Sequence, residues 1–386
     1  MWLRDSTNQV LPYLNFLSDD AAVALFRGLI HRQSVFVNSD PYANAFHLPS
    51  DTTQSPHTDD TTTKLGYLNV TLDGMDNPDV FERKYELDSL AHFLVLSGKY
   101  YNASSDTTPF DAEWVAAVGT VLDVLRGQQV GSAEEGAAAY TFQRTTPQPT
   151  DSLSHGVGWP AAATGLIRTG FRPSDDAHVF PFLIPANALA VVGLRGAADV
   201  LRAVGQTALA ADATSLASQV NAAVAAHGIV THPTFGDVYA YEVDGYGNAL
   251  FMDDGNVPSL MSLPYIGYLS ATDDVYQRTR QLVLSGAANP YYFCGSAACG
   301  VGSPHTGQGS VWPMGLAIRA LTSTNASEVG ELVSTLVATT ACTGVMHESF
   351  QAGNAAAFTR PWFAWANSLF AEVVMDTAAR FPGVLF

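Results

Sequence analysis

Positive charge is scarce in this chain. Eighteen Lys and Arg stand against 36 Asp and Glu in 386 residues, a formal net charge of −18. So acidic a surface repels phosphate, which argues against nucleic acid and anionic membranes as partners; neutral polar ligands such as sugars remain compatible. Cysteine is nearly absent, with only Cys294, Cys299 and Cys342. Cys294 and Cys299 lie close together in a Gly-rich loop, so a local disulfide is expected if the compartment oxidises. That loop holds too few ligands for zinc, and Cys342 is expected to be buried. No run of about 18 apolar residues occurs, so no membrane span is expected. There is no His-x-x-x-His pair, no Gly-x-Ser-x-Gly elbow and no phosphate-cradling P-loop. Zinc-assisted hydrolysis, serine-hydrolase chemistry and nucleotide binding are disfavoured accordingly, and no metal or cofactor is expected.

What is present is apolar and aromatic. Hydrophobic residues make up 47% of the chain, enough for a large core, and charged residues only 14%. Twenty Phe, 15 Tyr and 6 Trp suit sites where a ring stacks on a sugar, and equally suit an ordinary core. The length fits two average domains or one large helical or barrel domain. No low-complexity linker divides it, so 1–386 reads as a single domain.

Alanine-rich stretches with apolar residues at helical spacing predict helices over about 114–125, 186–204, 208–226, 273–284, 311–321, 328–339 and 363–381. Between them run loops rich in Gly, Pro, aromatic and acidic residues, including 171–182, 241–258, 290–309 and 346–360. Strand signals are few; 228–231 and 238–241, with Pro233 and Gly236 between, predict a small hairpin. Long helix, decorated loop, long helix is the rhythm of helical hairpins closed into an (α/α)6 toroid. An open solenoid is the alternative, but solenoids usually show sequence periodicity.

Several acidic positions fit glycoside cleavage, which needs one carboxyl group to protonate the leaving oxygen and another to act as base or nucleophile. Asp175-Asp176 follows Pro173 in a loop leading into an apolar helix. One of the pair can face a cleft while the other caps the helix or orients its neighbour; a turn or cap role for both is the bland reading. Glu348 sits in Met346-His347-Glu348-Ser349-Phe350, an apolar setting where a charge is either paired or functional. Asp253-Asp254 offers a third cluster, too poor in regularly spaced oxygens for an EF-hand and better suited to sugar hydroxyls or loop structure. Arg4-Asp5 and Lys84-Tyr85-Glu86-Leu87-Asp88 bring opposite charges into apolar surroundings, as buried ion pairs or as hydroxyl binders. His305 and Trp312 can line a cleft, although a lone His is more often structural.

Together these stretches resemble glycoside hydrolase family 125, the metal-independent exo-α-1,6-mannosidases. The resemblance rests on Trp2-Leu3-Arg4-Asp5-Ser6, Arg83-Lys84-Tyr85-Glu86-Leu87-Asp88-Ser89, Phe171-Arg172-Pro173-Ser174-Asp175-Asp176-Ala177, Met252-Asp253-Asp254 through Asn256-Val257-Pro258-Ser259-Leu260, Val311-Trp312-Pro313, His347-Glu348-Ser349-Phe350 and Phe358-Thr359-Arg360-Pro361-Trp362-Phe363-Ala364-Trp365-Ala366-Asn367. They span nearly the whole chain in order. The resemblance implies an all-α (α/α)6 barrel with decorated loops and an inverting mechanism. It places the general acid in Asp175-Asp176, with Asp175 preferred, and the base at Glu348. It offers Arg4, Asp5, Glu86, Asp88, Asp253, Asn256, His305, Trp312, Arg360 and Trp365 as candidates to line a mannose pocket. Gly255 stands where the resemblance leads one to expect Ala. The chain opens directly on the Trp-Leu-Arg-Asp motif, so a barrel lacking its N-terminal segment is expected.

The expected ligand is a mannose-containing oligosaccharide or N-glycan, and a monomer is expected. The rivals are another helical-toroid glycosidase, glucoamylase-like or trehalase-like, and a non-catalytic glycan-binding relative. Sequons at Asn69, Asn102 and Asn325 favour a secreted or secretory-pathway protein. A cytoplasmic location is the alternative, since no signal peptide is present in this sequence.

Overall fold

The structure, a computed structural model, describes residues 1–48, 77–134 and 140–385. Ten helices of eight or more residues carry the described fold: α1 (Leu3–Val10), α2 (Asp20–Ser39), α3 (Leu87–Ser104), α4 (Ala112–Gly127), α5 (Ile184–Ala203), α6 (Thr207–Ala223), α7 (Asp274–Val283), α8 (Pro313–Thr322), α9 (Ala326–Ala338) and α10 (Ala364–Arg380). The seven helices expected from periodicity are α4 to α10, with ends within about three residues. The first three were not read from periodicity. In α3, thirteen of 18 residues are buried on every side, so no polar face sets a period.

The described chain divides into two compact units. One is Met1–Thr7, Tyr13–His227 and Glu242–Ala249; the other is Asn8–Pro12, Gly228–Tyr241 and Leu250–Phe386. In the first unit α3 packs on α5, and α5 on α6. Glycine lets α3 and α5 approach: a Cβ built on Gly98 would lie 2.9 Å from Gly196 Cα, and one on Gly193 would lie 3.0 Å from the Ala91 carbonyl oxygen. Ala210, Ala213, Ala217 and Val220 form the buried stripe of α6. By length and composition α5 could cross a membrane, but 78% of its most apolar window is buried inside the fold. In the same unit, Asp111 caps α4 by accepting from Trp114 N, and the buried Trp114 indole donates to Ser97 Oγ of α3 at 2.9 Å.

In the second unit α8 packs on α9 and α10. The expected hairpin is present, pairing Ile229–His232 with Gly236–Tyr239 and packing on α7. Gly236 turns it at φ +70, a conformation that costs glycine little. A further sheet was not foreseen: Ser310–Val311 pairs with Ser349–Gln351, which pairs with Asn354–Thr359. Its last strand reads Asn-Ala-Ala-Ala-Phe-Thr, whose first four residues are of types depleted in strands; tertiary pairing overrides propensity here. Cys294 and Cys299 form the expected disulfide, joining two short paired strands. Cys342, expected to be buried, is exposed; it lies in a turn where Ala341 and Cys342 both have positive φ, a surface conformation. Asn102 and Asn325 are exposed, and Asn69 lies outside the described residues.

Candidate active site

The acidic loop in the first unit is a tight hairpin turn. Asp175 N donates to Arg172 O at 2.9 Å, Arg172 N donates to Asp176 O at 2.8 Å, and Phe171 bridges to Ala177. Pro173 supplies the turn's second position, and Asp175 takes the left-handed conformation at φ +64, where glycine is usual. Asp is one of the few other residues that tolerate it. The turn is anchored from behind. Arg172 Nε donates to Glu242 Oε1 at 2.6 Å, and Glu242 Oε2 accepts from Val179 N and Phe180 N, both at 2.9 Å. Glu242 is wholly buried.

That geometry separates the two aspartates. The Asp175 side chain is 31% exposed, whereas Asp176 is buried and accepts from Ser174 Oγ at 3.2 Å. Neither caps the next helix; α5 is preceded by Leu183, without a side-chain cap. Arg4 gathers the neighbouring acids. Its Nη1 donates to Glu86 Oε2 at 2.7 Å and Asp88 Oδ2 at 3.2 Å, its Nη2 to Asp175 Oδ1 at 2.8 Å, and its Nε lies 3.7 Å from Asp5 Oδ2. Lys84 Nζ donates to the Asp175 carbonyl oxygen at 2.9 Å and to Asp151 Oδ1 at 2.5 Å. Glu86 also accepts from Ser89 Oγ at 2.8 Å and Asn44 Nδ2 at 3.3 Å. Of these, Arg4, Lys84, Glu86 and Asp88 are buried, whereas Asp5, Asp151 and Asp175 reach solvent.

Charge settles unevenly in this cluster. Burial pushes the Glu86 carboxyl well up; Arg4 opposes this, and Asp175 and Asp88 reinforce it. Burial likewise pushes Asp88 up, to about 6, against the pull of Arg4. Asp175 goes the other way: burial pushes it up, but Arg4, a hydrogen bond with Glu86, and Lys84 hold it below the usual carboxylate range. His92, buried beside Asp88, is pushed down to about 3 by burial and by Arg4.

In the second unit Glu348 stands at the head of the strand Ser349–Gln351, with its N–H donated to Thr359 O at 3.3 Å. Its side chain is 7% exposed and pairs with Arg360, whose Nε lies 3.0 Å from Oε1 and which is itself 60% exposed. Neighbouring His347 is fixed by stacking on Phe358, ring centroids 3.8 Å apart. Arg360 stands over the Phe363 ring at 5.5 Å. Trp312 is buried, donating from Nε1 to Thr306 Oγ1 at 2.8 Å, and lies beside exposed His305. Gly255 explains that placement: a Cβ there would lie 2.6 Å from Trp312 Cβ, so Ala would displace the indole.

Asp253 and Asn256 are turned inward. Asp253 accepts from Leu260 N at 2.8 Å and Met261 N at 3.0 Å, and burial pushes its carboxyl up to about 7 against those donors. Asn256 Nδ2 donates to Asp254 Oδ1 at 2.8 Å, and Asp254 Oδ2 accepts from Ser303. Both residues organise the turn around them. Trp365 is 1% exposed, whereas Trp362, three residues earlier in the same motif, is 62% exposed. Sequence reasoning passed over Trp362, and also over Lys84, Arg172 and Glu242. Pro361 and Arg360 beside Trp362 mark a surface turn, a signal that was there to read.

Residues 1–375 match the family described as Metal-independent alpha-mannosidase (GH125). The chain is 45% identical, over its full length and 76% of the relative, to the Meiotically up-regulated gene 157 protein of Schizosaccharomyces pombe. It is 38% identical to a Streptococcus pneumoniae metal-independent alpha mannosidase solved in a non-productive substrate complex with alpha-1,6-mannobiose. That likeness covers 97% of this chain and 85% of the other, with a TM-score of 0.90. A bacterial glucoamylase, solved with acarbose, shares the fold at 13% identity, TM-score 0.59, over all of this chain and 50% of its own. The fold is therefore the all-α (α/α)6 type, and the chain belongs to the metal-independent alpha-mannosidases of glycoside hydrolase family 125.

Proposed function

We propose that this protein is an exo-acting α-mannosidase that removes non-reducing terminal α-1,6-linked mannose with inversion. The observation that carries the linkage is the α-1,6-mannobiose bound by the Streptococcus pneumoniae relative, at 38% identity. The carboxyl groups support the chemistry. Asp175 is the partly exposed acid and protonates the leaving oxygen as the glycosidic bond breaks. Glu348 takes a proton from water as that water's oxygen bonds to the anomeric carbon. Arg360 holds the Glu348 carboxylate in place. Trp362 offers an open ring face to a sugar. No step requires a metal ion. Exposed Asn102 and Asn325 and the Cys294–Cys299 disulfide support a place in the secretory pathway.

A panel of α-1,2-, α-1,3-, α-1,4- and α-1,6-mannobiose, assayed with and without chelator, tests this reading. Hydrolysis of the α-1,6 isomer well above the others, unaffected by chelator, is expected. Preference for another linkage, or for a glucoside, would overturn it.

A further inference from the structure

The hairpin that carries Glu348 is gripped at its far end by a disulfide-closed loop. Its strands Ser349–Gln351 and Asn354–Thr359 are joined by the tight turn Ala352-Gly353. Glu348 and Arg360 stand at the open end, where Glu348 N donates to Thr359 O and Arg360 Nε lies 3.0 Å from Glu348 Oε1. At the closed end the turn meets residues 295–298, the loop between Cys294 and Cys299. Ala297 N and Ala298 N both donate to Ala352 O, at 2.8 and 3.2 Å, and Ser296 Oγ donates to Gly353 O at 2.8 Å. Gly295 lies flat against the same turn: a Cβ there would lie 2.4 Å from the Ala352 carbonyl. Only Ser349–Gln351 separate this grip from Glu348, roughly 13 Å of extended chain.

The disulfide sets the shape of the gripping loop. Cys294 stands directly opposite Cys299 where Tyr292–Cys294 pairs with Cys299–Val301. A cross-link over so short a loop restrains chiefly that loop rather than the whole fold. The strand Cys299–Val301 also backs the middle of the Glu348 sheet. Trp312 N donates to Val301 O at 3.1 Å, and a Cβ on Gly300 would lie 2.6 Å from Val311 Cγ1. Both cysteines are exposed, and exposed disulfides are the ones that thiols reduce most readily.

We propose that the Cys294–Cys299 disulfide is a redox-sensitive positioning element for Glu348: closed, it holds loop 295–298 on the Ala352-Gly353 turn and so fixes the base; opened, it releases the turn and turnover falls. The inference rests on the base role of Glu348. Opening takes two electrons from a dithiol. One of its thiolates attacks a sulfur of the pair and the S–S bond breaks. Its second sulfur then closes the dithiol to its own disulfide, and both cysteine sulfurs take up protons from the dithiol. Oxidation runs the exchange backwards. A displacement of about 1 Å at a catalytic group slows turnover strongly, so the loss falls on kcat rather than on KM.

The experiment is kcat and KM on α-1,6-mannobiose for the full chain before and after dithiothreitol, well below the unfolding temperature. Circular dichroism confirms the fold, and alkylation confirms that all three cysteines are thiols. Reduction should lower kcat about tenfold with KM changed less than about twofold, and reoxidation should restore it. The double variant Cys294→Ser, Cys299→Ser should sit at the reduced rate and ignore the dithiol, whereas Cys342→Ser should respond as the unaltered chain does. Gly295→Ala pushes the loop off the turn with the disulfide intact and should cost kcat similarly. In Glu348→Gln the residual rate should no longer fall on reduction, because no base is left to misplace. An unchanged kcat in folded, fully reduced enzyme overturns the proposal. So does an equal fractional loss in Glu348→Gln, or normal turnover in folded Gly295→Ala. If Glu348→Gln itself turns over normally, the base role fails instead.

Discussion

At the residue scale, each assigned role depends on a side chain that is held rather than free. Glu348 is gripped by Arg360 at 3.0 Å, and Asp175 by Arg4 at 2.8 Å. Glu348→Gln keeps the shape and a hydrogen-bond acceptor for Arg360 but cannot take a proton. Its kcat on α-1,6-mannobiose should fall about 10²- to 10⁴-fold, with calorimetric binding of the disaccharide nearly unchanged. Asn tolerates the left-handed backbone of position 175 as well as Asp does, so Asp175→Asn should fold. It should lose similar activity on mannobiose and much less on an aryl mannoside whose leaving group needs no proton. Equal losses on both substrates would remove Asp175 as the acid. Several candidates marked by sequence are buried: Glu86 and Asp88 serve Arg4, and Asp253 and Asn256 serve their own turn. Sequence shows that a charge is out of place in apolar company. It does not show which side of the backbone the charge faces, and that decides between substrate and neighbour.

At the scale of elements, the site loops hang on helices whose periodicity was readable and are fixed by ion pairs that was not. The α4 to α10 set follows from alanine content and apolar spacing. The α3 helix escaped because its buried residues include Asp88, Ser89, His92 and Ser97, polar groups without a solvent face. The Arg172–Glu242 pair that pins the acidic turn joins residues 70 apart in sequence, beyond any local pattern. Glu242→Ala strands a buried guanidinium and two backbone N–H groups. It should cost about 3–5 kcal/mol in urea unfolding, and a loss below about 1 kcal/mol would contradict the anchoring role. A second pin joins α7, α8 and α9. Burial pushes the Glu328 carboxyl up, but hydrogen bonds from Arg280, Ser323 and Arg319 bring it down to about 2. Its folded pKa thus lies below the unfolded value of 4.5. The stability it contributes is present above about pH 4.5 and is lost as pH falls toward 2, at most about 3 kcal/mol. Glu328→Gln should flatten the fall in urea midpoint across that window; an unchanged slope would count against it.

At the scale of the molecule, what sequence conveyed best was family and fold, because its motifs run in one order from Trp2 to Asn367. Residues 1–375 match the family over nearly the same span. Conveyed less well was the division of labour among acids, which depends on side-chain direction and on cations brought in from distant segments. Acidity also marks the whole molecule: a net charge of −18 suits a neutral sugar ligand and leaves little attraction for anions. The most direct test of the two-carboxylate inverting mechanism is proton NMR of the first mannose released from α-1,6-mannobiose, recorded before mutarotation. Water delivered by Glu348 from the face opposite the leaving group predicts β-mannose as the initial product. Initial release of α-mannose would mean retention through a covalent intermediate and would contradict the mechanism proposed for Asp175 and Glu348.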